Sequence, residues 1–134
     1  MKISPYSKNR FIKTFDKWRV DKEYVIPMYN YLVHGFNPGS FFTSLLANDA
    51  MAAVSRSHPA NTIQSLKNLV GWIRDEMPPV AYGNYDALEQ WGKLSESERR
   101  AILELKGLIF TEKEETWLNV KGDPIDVPWE YAQI

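Results

Sequence analysis

Residues 28–54 read MYNYLVHGFNPGSFFTSLLANDAMAAV, and the fold turns on where this stretch is broken. Met28, Tyr29, Leu32 and Val33 recur at helical spacing. Gly35 can take the left-handed conformation that ends a helix, and Pro38 blocks any continuation. Gly39 and Ser40 open a second helix, with Ser40 as its N-cap. At about 100° per residue, Phe41, Leu45 and Ala52 cluster, with Phe42, Leu46 and Ala53 beside them. On this helix, read as running on to Val54, Asp49 falls inside the apolar arc and Asn48 at its edge. An unpaired carboxylate there would be costly, so Asn48 and Asp49 are candidate buried polar residues. Two roles compete for Asp49. It caps or buttresses the bundle, held by a ring N–H, a Tyr hydroxyl, Arg74, His34 or free amides, or it is a site carboxylate needing a second acid or base.

On the N-terminal side, Ser7 is placed to cap a helix to about Arg19, with Phe11, Phe15 and Trp18 on one stripe and Ile12 beside it. Arg10, Lys13 and Lys17 share its far side and Arg19 follows, a solvated basic face or a set of candidate phosphate contacts for nucleic acid. Pro27 suits the first position of the next helix. Asn30 and His34 are four apart, but with His58 the only other imidazole and no Cys in the chain, a metal site is not expected.

On the C-terminal side, Asn61 and Gln64 mark the start of the most regular amphipathic helix, with Ile63, Leu66, Leu69, Val70, Ile73 and Met77 expected inward. Lys67, Asn68, Gly71, Arg74 and Asp75 are expected opposite. Asn84 caps a short helix through Leu88 and Trp91, broken at Gly92. Ser95 and Glu98 form a capping box for a helix with Ala101, Ile102 and Leu105 that Gly107 closes. Residues 108–111 and 116–120 are β-prone and read as one hairpin. Beyond them, Trp129 and Tyr131 either pin the tail to the body or present an anchor to a protein partner.

The expectation is therefore a mainly α fold: one domain over residues 1–134, a compact bundle of about five short helices with a small C-terminal β-hairpin. It divides into a basic first helix (1–20), a helical core (21–107), and a hairpin with an irregular acidic tail (108–134). The 44% apolar and 25% charged residues are ordinary for a globular chain and argue against wholesale disorder. Net charge is only −1, yet residues 1–20 carry six cations against Asp16 and residues 101–134 carry seven acids against three lysines. The absence of Cys removes disulfides and thiol nucleophiles and fits a reducing cytoplasm. No apolar run is long enough to suggest a membrane span.

Catalytic signatures are missing. There is no Gly-rich phosphate loop, no Gly-x-Ser-x-Gly elbow, no His-Glu-x-x-His and no calcium loop. Gly39-Ser40 at a helix start is a faint anion-site signal, and a hydrolase or nucleotide site around Ser40, Asn48 and Asp49 ranks last. No enzyme activity, cofactor or metal is expected.

Tyr31-Leu32, Gly35, Pro38-Gly39-Ser40-Phe41, the leucines Leu45 and Leu46, Asn48-Asp49-Ala50, Asn61 and Trp91 together resemble small uncharacterised proteins encoded by bacteriophages and related mobile elements. The resemblance spans roughly residues 29 to 92 and brings no activity or site residue with it. What it implies is a phage-type accessory protein in the host cytoplasm, working through a protein partner or a homo-oligomer. Nucleic-acid binding by the first helix is the alternative.

Overall fold

The computed structural model describes residues 2–58, 61–112 and 129. Among these, seven α-helices form a bundle, so the expected fold class holds, with more and shorter helices than anticipated. They are α1 (Ser7–Lys17), α2 (Val25–His34), α3 (Ser40–Leu46), α4 (Ala50–Arg56), α5 (Ile63–Glu76), α6 (Tyr85–Lys93) and α7 (Glu96–Lys106). A two-residue antiparallel pairing joins β1 (Lys2–Ile3) to β2 (Thr111–Glu112). The expected hairpin partner, residues 116–120, lies outside the described residues. Thr111 pairs with Ile3, drawing the two ends of the helical body together.

Several elements start and stop for local reasons. Gly35 ends α2 at φ 72°. There a Cβ would lie 2.9 Å from the Arg99 guanidinium, so both conformation and space require glycine. The Ser95–Glu98 capping box opens α7, and Gly107 closes it at φ 81°. Asn84 caps α6 by accepting from the Ala87 amide at 2.7 Å.

Other boundaries correct the sequence reading. Ser7 is the first residue of α1 rather than its N-cap. It is buried, and its hydroxyl oxygen donates to the Phe110 carbonyl at 3.0 Å while accepting from the Phe110 amide at 2.9 Å. α2 starts two residues before Pro27, still within the first turn, where proline's missing N–H leaves no bond unmade. α5 is capped by Thr62 with Ser65, one residue beyond the expected pair. Gly92 lies inside α6.

The largest correction is at Asn48-Asp49. The helix expected over residues 40–54 is two helices, because Asn48 takes a left-handed conformation at φ 63° and Asp49 caps α4, accepting from the Ala52 amide at 3.4 Å. Asn tolerates that conformation and Asp is among the strongest N-caps, so local bonds outcompete helix continuation. α3 and α4 then fold back on each other as a helical pair.

The core is aromatic. Trp72 of α5 is fully buried, with ring centroids 4.5 Å from Phe15 and 5.6 Å from Phe11 of α1. Phe11 also packs edge-on against Tyr29 of α2 at 5.3 Å. The indole N–H of Trp72 donates to the Thr14 hydroxyl at 2.9 Å, which donates to the Phe11 carbonyl at 2.6 Å. Every polar atom taken into this part of the core thus has a partner.

Trp72 also decides how α5 is rolled. Its inward face is Leu69, Trp72 and Ile73, with Met77 just beyond the helix. Ile63 and Val70, expected inside, are exposed. One indole buries far more apolar area than either aliphatic chain it displaces. Gly71, on the neighbouring face, lets the half-buried Trp18 ring approach the helix closely; a Cβ there would meet that ring at 2.8 Å.

Candidate functional site

The roll of α5 and the break before α4 together open an apolar groove of about 540 Å³. Leu45, Leu46, Ala50, Val70, Ile73 and Tyr82 line it, with Asn48, Arg74 and Gly83 completing the walls. One end is fixed by the Gly83 amide, which donates to the Leu46 carbonyl at 2.7 Å. Val54 stands one turn beyond Ala50 on the same side of α4. Ile63 stands two turns before Val70 on α5.

This region is unusually apolar for a surface. Met51 is 88% exposed, Ile63 86% and Val54 64%, while α4 as a whole buries only Ala53. Leu105 is as open, but it stands alone between the exposed charges Glu104 and Lys106. A single exposed leucine needs no explanation, whereas several exposed apolar side chains on two helices that share one groove do.

Asn48 and Asp49 are placed differently from expectation. Asn48 is exposed and Asp49 half-buried, so neither is a buried polar residue in an apolar arc; the helix that would have carried them inward does not exist. The cap role anticipated for Asp49 is the one seen. The Tyr85 hydroxyl donates to its second oxygen at 2.6 Å, and this bond, then that of the Ala52 amide, holds its carboxyl below the ordinary 3.8. Because the folded-state value is lowered, the stability this group contributes is complete above its unfolded value and is lost as pH falls through the folded one. Tyr85→Phe is therefore expected to raise the Asp49 titration midpoint, read by carbon NMR, towards 3.8. The variant should also melt lower than the parent at neutral pH, with the gap closing as pH falls below 3.8 and through the folded-state value. An unmoved midpoint would show that Tyr85 does not hold the carboxylate. Ser40 is exposed and does not line the groove, so it does not assemble with Asn48 and Asp49.

The four basic candidates are not equivalent. Arg10 donates through Nε to the Gly107 carbonyl at 2.9 Å, binding the end of α7. Lys17 pairs with Glu76 at 3.4 Å and Asp75 at 3.5 Å, and the Glu76 bond leads in raising its pKa. Lys13 and Arg19 are exposed, with Arg19 left-handed at φ 54°. Two of the four cations thus serve packing within the chain.

Trp129 is buried, with its ring 5.0 Å from Tyr29, and its amide donates to Asn30 Oδ1 at 2.9 Å. Lys8 Nζ stands 5.2 Å over that ring. It is therefore the pin of the two expected roles, not an anchor offered outward; Tyr131 lies outside the described residues. Asn30 thus serves Trp129, while the His34 ring packs near Phe36 at 5.7 Å. Among the described residues, no group of three His, Cys, Asp or Glu could hold a metal, and no helix is long and apolar enough to cross a membrane.

Two further buried groups had no sequence signal. Arg99 and Arg100 of α7 are 4% and 2% exposed. Arg99 donates to the Val33 carbonyl at 3.2 Å and to the Leu94 carbonyl, closing the last turn of α2; burial lowers its pKa. No protein-family model, curated protein or solved structure matches the chain.

Proposed function

We propose that this chain is a non-enzymatic binding protein that docks another polypeptide on the face formed by α4 and α5. One observation carries the reading: apolar side chains on both helices stand in solvent, and Ala50 of α4 and the exposed Val70 of α5 line a groove that is largely apolar. Burying such side chains against a partner recovers roughly 25 cal/mol per Å² of apolar surface. Their cost to the free protein has no counterpart in the packing of its own core. The resemblance of residues 29–92 to small phage-encoded proteins supports the setting, an accessory protein acting on a host or phage factor in the bacterial cytoplasm. For the nucleic-acid alternative, the commitment of Arg10 and Lys17 to internal partners leaves few cations to track a phosphate backbone.

The test is a footprint. The chain is immobilised, exposed to bacterial lysate, and backbone hydrogen exchange is compared with and without the retained protein. Slowed exchange over residues 50–56 and 63–74 is expected. Protection confined to α1, or no protein retained at all, contradicts the proposal.

A further inference from the structure

We propose that the groove between the α3–α4 turn and α5 takes an amphipathic helix with an acidic flank on its partner protein, an inference that rests on the docking reading above. The exposed side of α5 carries Ile63, Lys67, Val70 and Arg74 at spacings of four, three and four. These positions fall on one line along the helix, so apolar and cationic side chains alternate along a row that begins in the groove wall at Val70 and Arg74 and runs on from it through Lys67 to Ile63. Arg74 also forms part of the wall. The carboxylates of α5, Asp75 and Glu76, project away from this line and are held by Lys17; Glu76 also accepts from the Trp18 ring N–H at 3.2 Å. Asp49, at the start of α4, is engaged by Tyr85. Lys67 and Arg74 therefore have no carboxylate on their own line of α5, and their field favours an anionic flank on whatever lies alongside.

The walls select a helix over an extended strand. Among the described residues, the groove is lined by α3, α4, α5 and residues 48, 82 and 83, and neither two-residue strand borders it, so no sheet edge is offered there for strand addition. What the groove does offer is a concave apolar channel. A helix fills such a channel with side chains at positions i, i+3, i+4 and i+7. A flat bilayer surface would reach the exposed Met51 and Ile63 but not Leu45 and Tyr82, which are half-buried in the groove.

The probes are fluorescent designed helices about as long as α5, sharing one apolar face and differing only in Glu or Lys flanks. Binding is read by anisotropy at about 50 mM salt, where exposed charges are weakly screened. The acidic helix is expected to bind the parent chain at least about tenfold more tightly than the basic one, or about 1.4 kcal/mol. Lys67→Glu with Arg74→Glu is expected to reverse that order, the variant's fold being checked by circular dichroism. Equal binding of both helices, or a preference that survives the reversal, overturns the inference. So does binding to phosphatidylglycerol vesicles with neither helix bound, or light scattering that shows a dimer competing for the groove. If the lysate footprint lies on α4 and α5 while the acidic preference is missing, only this inference falls. A footprint elsewhere removes the docking reading itself.

Discussion

Trp72→Ala is expected to lower the unfolding free energy by about 3–5 kcal/mol, measured by urea denaturation followed in the far ultraviolet. The indole has no exposed surface and stands at the junction of α1 and α5, against Phe15 at 4.5 Å and Phe11 at 5.6 Å. Truncation removes its transfer free energy and leaves a cavity whose walls are aromatic rings held by other contacts, which relax only partly. The polar cost is smaller. Thr14 loses the N–H it accepts from but keeps its own bond to the Phe11 carbonyl. Domains of this size commonly have about 5–15 kcal/mol in hand, so the variant should be marginal. Trp72→Phe keeps a ring in the cluster and should lose clearly less. A loss below about 1 kcal/mol for the alanine variant would mean that this cluster is not the centre of the core.

The parts of this fold that were legible in the sequence are those decided within a few residues. Gly35 and Gly107 end helices because the next conformation is left-handed. Ser95 and Glu98 satisfy each other's neighbouring amides across one turn. Neither arrangement needs the rest of the chain. Where a local and a periodic signal competed, the periodic one misled: a helical wheel drawn through Asn48-Asp49 ignored that both residues favour leaving a helix.

The face of α5 was misread for a different reason. A count of aliphatic positions treats Ile63, Val70 and Trp72 as equal, whereas the core is chosen by buried area and by which rings fit together. That misreading also hid the groove, since two of its apolar neighbours had been assigned to the interior. The sequence reading therefore placed its site candidates on α1, on Asn48 and Asp49, and on the tail, and none on Met51, Val54 or Ile63. One signal was available in Ala50-Met51-Ala52-Ala53-Val54, a short helix with too little size to bury and no polar face to show. The interior arginines Arg99 and Arg100 offered none. Arg99 makes sense only once the carbonyls of Val33 and Leu94 are brought beside it.

The central claim is that the apolar face of α4 is a working surface, and the double variant Met51→Asp with Val54→Asp tests it most directly. Both side chains stand largely in solvent, so the substitutions should leave the fold intact, as circular dichroism and the urea midpoint would show. In a complex, the same changes place two unpaired carboxylates in an apolar contact, where an unpaired charge is strongly disfavoured. The affinity for the protein retained from lysate is measured by calorimetry for the parent, for this variant and for Lys13→Ala with Arg19→Ala. The account predicts a loss of about a hundredfold or more for the aspartate pair, about 2.7 kcal/mol, with the alanine pair binding as the parent does. Undiminished binding by the aspartate pair, with binding abolished by the alanine pair, would place recognition on α1 and contradict it.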